Sequence, residues 1–133
     1  MSDDNVRLVQ SLYAAFGRGE IGPIIKTMSP DVVWHVEGRR KDHPVAGTHR
    51  GANAVAQFFK TVEETQSADE FSPREFFAAQ DRVFVLGRYR WTMKRSGKSV
   101  DTAFIHIFTV KGGKVTGFTE FTDTAQFAEA YRG

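Results

Sequence analysis

The spacing of apolar residues changes near residue 69 and divides the chain into a helical part and a strand-rich part. Before that point, apolar residues recur at intervals of three and four over residues 3–16 and 51–64, which predicts two amphipathic helices. A short helix is predicted around Pro23, and residues 31–37 favour a strand. The polar and basic segment 38–50 is predicted to be a long loop.

The strand-rich part contains four predicted strands, which end at turn-forming residues. They cover residues 70–80, 82–95, 98–110 and 114–122, and a last helical turn is predicted after Asp123. Helices, one strand, a helix and then an antiparallel meander are typical of an α+β fold, in which the helices pack on one face of the sheet.

The turn residues Ser96-Gly97 and Gly112-Gly113 predict two tight hairpins, which fix the strand register. In that register Arg88, Ile105 and Glu120 form a row across three strands, and Arg90 lies on the same face. The opposite face is aromatic and carries Tyr89, Phe104, His106, Phe108 and Phe121. A slip of one residue in either hairpin would reverse this assignment.

The predicted helices can cover only one of these two faces, so two arrangements follow. If they cover the aromatic face, the charged face is solvent-exposed. If they cover the charged face, Arg88, Arg90 and Glu120 line a cavity, and the aromatic face must be buried against a second subunit. The hydrophobic pattern alone does not choose between them.

Composition narrows the functional classes. The chain has 133 residues, a net charge of +2 and no cysteine, which predicts one domain over residues 1–133 without disulfides or thiolate zinc sites. The basic residues are dispersed, so we expect no nucleic-acid partner. No apolar run approaches the roughly 20 residues of a membrane-spanning helix, and residues 1–4 do not resemble a leader, so we expect no membrane partner and a cytoplasmic location.

Histidine placement does not predict a metal site. His43 and His49 lie in the polar loop, but no further histidine or carboxylate follows them at ligand spacing. No glycine-rich phosphate loop or serine nucleophile motif occurs either. We therefore expect neither a metal nor a cofactor.

Several segments together resemble a known family. They are Leu12-Tyr13-Ala-Ala-Phe16, Gly-Arg-Gly-Glu20, Ser29-Pro-Asp-Val-Val-Trp-His35, Ala46-Gly-Thr-His-Arg-Gly51 and Gly113-Lys-Val-Thr with Phe118-Thr-Glu-Phe-Thr-Asp123. In this order they resemble SnoaL-like proteins of the nuclear transport factor 2-like superfamily. The resemblance implies a cone-shaped, curved, mostly antiparallel sheet with three helices on its concave face, a deep pocket, and a homodimer formed through the convex face.

The resemblance favours the second arrangement and assigns candidate residues. It implies that Glu120 is the acid/base group, because cyclase-like members carry a carboxylate on the last strand, and that Arg88 and Arg90 are its electrostatic partners. The aromatic face is then the expected dimer interface. The residues expected to contact the substrate are Leu12, Tyr13, Trp34, Val36, Phe58, Ile105 and Phe118.

The resemblance also excludes one activity. The positions of the steroid-isomerase catalytic residues hold Leu12, Val36 and Ile105, which cannot transfer protons. The expected function is binding of a small, largely apolar metabolite, with cofactor-free isomerase, cyclase or hydrolase chemistry. The alternative is a non-catalytic module of the same fold that only holds a ligand or forms a dimer.

Overall fold

The computed structural model describes residues 2–133, so Met1, part of the segment assessed for a leader, lies outside the described residues. Its helices are α1 (Ser2–Gly17), α2 (Ile21–Lys26), α3 (Ala52–Thr65) and α4 (Thr124–Arg132); its strands are β1 (Met28–Val36), β2 (Gly47–Arg50), β3 (Gln66–Ala79), β4 (Arg82–Met93), β5 (Ser99–Lys111) and β6 (Lys114–Thr122). None of these helices is long and apolar enough to cross a membrane.

The six strands form one curved sheet in the order β2-β1-β6-β5-β4-β3. Neighbouring strands are antiparallel except β1 and β6, which are parallel. The predicted α+β fold class is confirmed, with two additions. The predicted last turn is a complete helix, α4, and the predicted loop 38–50 contains the short strand β2.

The helices cover the aromatic face of the sheet, which we call the inner face. Helix α1 packs against β3 and β4, and α3 packs against β1, β2 and β3. Tyr89, Trp91, Phe104 and Phe108 are buried there, each at most 6% exposed. Burying each such side chain stabilises the fold by roughly 1.5–3 kcal/mol, whereas guanidinium groups prefer water. The expectation that the charged face lies under the helices is therefore wrong.

The strand register in the two hairpins determines which side chains share a face of the sheet. Between β4 and β5 the turn is longer than predicted, so Arg88 faces Ala103 instead of Ile105. This slip of two residues keeps every side chain on its predicted face. Between β5 and β6, however, the register shifts by one residue after Val110 and Val115, because Thr116 forms a β-bulge.

The bulge decides the position of Glu120. Beyond it, Glu120 lies opposite His106 instead of Ile105, and Phe118 lies opposite Phe108. Both Glu120 and Phe118 therefore point to the inner face, whereas Phe121 points outward and is 45% exposed. The prediction that Glu120 lies in a row with Arg88 is wrong, because it assumes an uninterrupted hairpin.

Candidate active site

A cavity lies between the inner face of the sheet and helices α1, α2 and α3. Its volume is about 80 Å³. Most of its wall is apolar or aromatic, and three polar side chains interrupt it. The lining residues are Leu12, Tyr13, Phe16, Ile24, Trp34, Phe58, Phe59, Val62, Phe71, Trp91, His106, Phe108, Phe118 and Glu120.

The three polar side chains form one hydrogen-bonded chain. The Tyr13 hydroxyl lies 2.6 Å from His106 Nδ1, and His106 Nε2 lies 2.7 Å from Glu120 Oε2. His106 and Glu120 face each other across β5 and β6, and Tyr13 reaches them from α1. The His106 and Glu120 side chains are 5% and 13% exposed, so the chain is shielded from solvent yet borders the cavity.

Hydrogen-bond directions follow from the chemistry of the three groups. An ionised Glu120 can only accept, so the His106 Nε2–H donates to it. A neutral His106 then accepts the Tyr13 proton at Nδ1, whereas a doubly protonated His106 donates from Nδ1 to the Tyr13 oxygen and leaves the Tyr13 proton free. Burial, and secondarily the Glu120 carboxylate, raise the pKa of Tyr13 well above its usual value. Tyr13 therefore keeps its proton at neutral pH and acts as a donor.

Aromatic rings fix the orientation of His106. The Phe104 ring stacks on the imidazole with a centroid distance of 4.2 Å, and the Tyr13 ring is nearly parallel to the imidazole at a centroid distance of 5.9 Å. Phe104 itself fills the space beside Gly87, its partner across β4 and β5. The plane of the imidazole is thus set by packing as well as by its two hydrogen bonds.

Two further buried groups lie within the electrostatic influence of Glu120. Burial first, and then the Glu120 carboxylate, raise the pKa of Tyr89 far above its usual range. Burial lowers the pKa of His43, although its hydrogen bond to Gln66 and the Glu120 charge oppose this. Both groups are therefore neutral at pH 7 and place polar, uncharged surroundings behind Glu120.

Six of the predicted site residues line the cavity: Leu12, Tyr13, Trp34, Phe58, Phe118 and Glu120. The others do not. Arg88 and Arg90 lie on the opposite, outer face, where Arg88 pairs with Asp101 at 3.0 Å and both guanidiniums are solvent-exposed. Ile105 is 41% exposed on that face, and Val36 is buried in the core beside the cavity. The prediction that Arg88, Arg90 and Ile105 surround a ligand is wrong, because the helices cover the other face. Val36 lies on the inner face, beside Glu120 in the strand register, but is not among the residues that line the cavity.

The predicted dimer interface also needs correction. Tyr89, Phe104, His106 and Phe108 are each at most 4% exposed and lie beneath the helices of their own chain. Of the predicted interface residues, only Phe121 lies on the outer face. A homodimer remains a prediction, but it requires a different set of contacts.

Sequence reasoning missed His106 as a site residue. Its neighbours in the strand pattern, Phe104 and Phe108, are aromatic, and the pattern therefore predicts an interface or core histidine. This pattern could have indicated a site residue, since an imidazole within a buried row of aromatic side chains needs a polar partner. The partner, Glu120, was hidden by the bulge at Thr116.

Over residues 2–133, no three histidine or carboxylate side chains come together as a group that could hold a metal ion. His43 is buried, stacks on Phe127 at 4.4 Å and bonds to Gln66. His49 bonds to the Val45 carbonyl oxygen. Both loop histidines therefore have structural partners within the chain.

The comparisons with known proteins place this geometry in a family. The family model of the SnoaL-like domain matches residues 9–118. The chain belongs to the SnoaL-like family. This assignment agrees with the resemblance of the sequence motifs.

Relatives of this SnoaL-like chain cover nearly its whole length. An uncharacterised protein of Mycobacterium tuberculosis is 32% identical over 91% of each chain. A nuclear transport factor 2-like protein from Burkholderia xenovorans is 30% identical, with a TM-score of 0.89 and 98% of each chain covered. TerC, which was co-crystallised with polyporic acid, is 28% identical, with a TM-score of 0.84 over 98% of this chain and 99% of its own.

Proposed function

We propose that this protein binds a small, largely apolar molecule in the inner cavity and transfers a proton on it. Glu120 is the acid/base group, as the sequence suggested, but its partners are His106 and Tyr13 instead of Arg88 and Arg90. The observation that supports this is the hydrogen-bonded chain Tyr13–His106–Glu120 in the wall of an otherwise apolar cavity.

The proposed step is proton removal from a carbon atom next to a carbonyl group. The hydrogen bond between Glu120 and His106 uses Oε2, and we assign Oε1 as the oxygen that accepts the substrate proton. His106 orients the carboxylate, as the third group of a catalytic triad orients its base. The resulting carboxylic acid returns the proton to the same or a neighbouring carbon, so the group is regenerated.

Tyr13 has a complementary role in this proposal. Negative charge develops on the carbonyl oxygen as the carbon loses its proton, and a hydrogen-bond donor near that oxygen lowers the barrier. The Tyr13 proton becomes available for this purpose when the hydroxyl turns from Nδ1 of the neutral His106 to the carbonyl oxygen of the ligand. Because Tyr13 does not ionise at neutral pH, it supplies a donor without adding charge to the cavity.

A ligand can be found without a label, because both tryptophans of the chain, Trp34 and Trp91, line the cavity. A bound molecule should change their emission and raise the thermal stability of the protein. Uncharged aromatic ketones are the first probes, and polyporic acid is added because TerC was crystallised with it. Enolisable ketones that pass this screen are then incubated with the protein in heavy water.

Hydrogen exchange next to the carbonyl group of such a ketone, followed by NMR, tests the chemistry. We expect Glu120→Gln to lower the exchange rate by roughly 10²–10⁴-fold, while affinity changes little because Gln is nearly isosteric. Arg88→Gln is the matched control and should leave the rate unchanged, since Arg88 lies on the outer face. Undiminished exchange by the Glu120 variant would contradict the catalytic role, and binding without exchange in the wild type would favour the ligand-holding module.

A further inference from the structure

The cavity wall has an unusual charge distribution for a site that contains a carboxylate. Among the described residues that line it, none is a lysine or an arginine, and Glu120 carries the one formal negative charge. The guanidiniums expected there, Arg88 and Arg90, lie across the sheet on the outer face. No cation of the wall therefore offsets a second negative charge brought in by a ligand.

An anion would also find few hydrogen-bond donors in this wall. A buried carboxylate is normally stabilised by a cation or by two or three N–H donors. Here the wall offers the Tyr13 hydroxyl, whose oxygen lies 2.6 Å from His106, and the indole N–H groups of Trp34 and Trp91. The Trp34 N–H lacks a partner in the described part of the chain. These donors are all neutral, which suits an uncharged oxygen.

From these observations we infer that the cavity selects by charge: it takes an uncharged planar carbonyl compound and rejects the carboxylate of the same shape. The inference rests on the proposed function for the location of the ligand. Two arginines beside Glu120, as the sequence predicted, would instead have attracted anions, since guanidinium groups pair with carboxylates.

The shape of the wall supports a flat ligand. Trp34 and Phe118 stack at 3.8 Å, and Phe58, Phe59 and Phe108 surround them edge-on or tilted. The free cavity is about half of the roughly 150 Å³ that accommodates benzene in an engineered cavity. Admitting an aromatic ring therefore requires side chains of the wall to move, and we assign this movement to the half-buried Phe16 and Phe59 rings at the helical side.

Benzamide and benzoate provide the test, because they have the same shape and differ in charge. Their affinities are measured by isothermal titration calorimetry at pH 7, and tryptophan emission reports whether the ligand occupies the cavity. We expect benzamide to bind and benzoate to bind at least about tenfold more weakly, since like charges a few ångströms apart repel strongly in a partly desolvated site. Equal affinities, or no binding of benzamide, would overturn the inference.

Two variants test whether the charge selectivity comes from Glu120. Glu120→Gln removes the charge and should raise benzoate affinity to within about threefold of that of benzamide. Glu75→Gln removes the same charge from an exposed position on β3 and should leave the wild-type ratio unchanged. If Glu120→Gln retains the full discrimination, Glu120 is not its source and the inference fails.

This outcome is separable from the proposed chemistry. A wild-type protein that rejects benzoate but catalyses no hydrogen exchange would retain the charge selectivity and lose the acid/base function. A protein that catalyses exchange and binds both probes equally would retain the acid/base function and lose the charge selectivity.

Discussion

In the proposed function, the Tyr13 hydroxyl contributes to catalysis much more than to ligand binding. Its hydroxyl is held by His106 at the cavity wall and keeps its proton, so it can stabilise a developing oxyanion. We expect Tyr13→Phe to lower the rate of exchange by about 100-fold, the usual effect of removing one such donor. Ligand affinity should fall much less, because the ring remains. The measurement is the NMR exchange assay together with calorimetry.

Tyr131→Phe is the control for Tyr13. It removes a hydroxyl from α4, where the ring packs against Arg95 away from the cavity. An equal loss of rate in both variants would show that the effect of Tyr13→Phe is not local.

At Gly87, the absence of a side chain leaves room for the Phe104 ring. A Cβ at Gly87 would lie 2.6 Å from Phe104 Cζ and would also meet the Ser72 carbonyl oxygen. Gly87→Ala must therefore move the ring that stacks on His106. We expect a loss of about 1–3 kcal/mol in the free energy of unfolding, as for other overpacked sites, measured by urea denaturation.

The same variant should also change the His106 ring signals. Nitrogen-15 shifts distinguish the two neutral tautomers and the protonated form, so they report directly on the hydrogen-bonded chain. Gly22→Ala is the matched control, because a Cβ there meets nothing within 4 Å. Unchanged His106 signals in Gly87→Ala would show that Phe104 does not fix the imidazole.

At the scale of elements, the periodicity of the sequence predicted nearly every helix and strand, because these depend on local spacing. The strand faces of β4 and β5 were also correct, since a slip of two residues preserves alternation. The face predicted for Glu120 and Phe118 on β6 was wrong, because Thr116 adds one residue to the strand and no turn residue in the sequence marks it. A bulge depends on contacts with the partner strand, so the spacing of residues along one strand does not predict it.

The loop between β1 and β2 is tied to α4 and β3 through His43, and this contact should make the stability of the fold pH-dependent. The imidazole is 5% exposed between Phe127 and Gln66, and Glu120 acts on it from β6. Burial lowers its pKa, so below about pH 6.5 the unfolded chain binds a proton that the folded chain does not. Stability should therefore decrease as the pH falls below that value.

Urea denaturation at several pH values between about 5 and 7.5 checks this expectation. His43→Gln cannot gain a proton and should show a smaller loss of stability on acidification, although its absolute stability is lower because the stack on Phe127 is lost. His35→Gln changes a histidine that is partly solvent-exposed and is the control. If acidification destabilises His43→Gln as much as the wild type, another group causes the effect.

At the scale of the whole molecule, the choice of sheet face could not be made from the pattern. Both faces contain apolar residues, and which one the helices cover depends on the total area buried, a property of the assembled chain. The resemblance correctly implied the cone and the cavity. It also favoured the charged face as the concave one, which is wrong, and the two arginines were therefore assigned to the wrong side.

The outer face retains an apolar surface that leads to the last prediction. Ile105 and Phe121 are partners across β5 and β6, Leu86 is the partner of Ile105 on β4, and Phe77 on β3 is 53% exposed. Exposed large apolar residues grouped on a sheet are typical of an interface. We expect a homodimer through this face, with Phe121→Asp converting it to a monomer because a carboxylate would be buried at the contact.

Sedimentation velocity at micromolar concentration measures this change directly. Gln10→Glu adds the same charge to an exposed position of α1, on the opposite side of the sheet, and should leave the dimer intact. The monomeric variant should keep the cavity and its hydrogen-bonded chain, since all its lining residues come from one chain. A wild type that sediments as a monomer would contradict the prediction, and a dimer that persists in Phe121→Asp would place the interface on another surface.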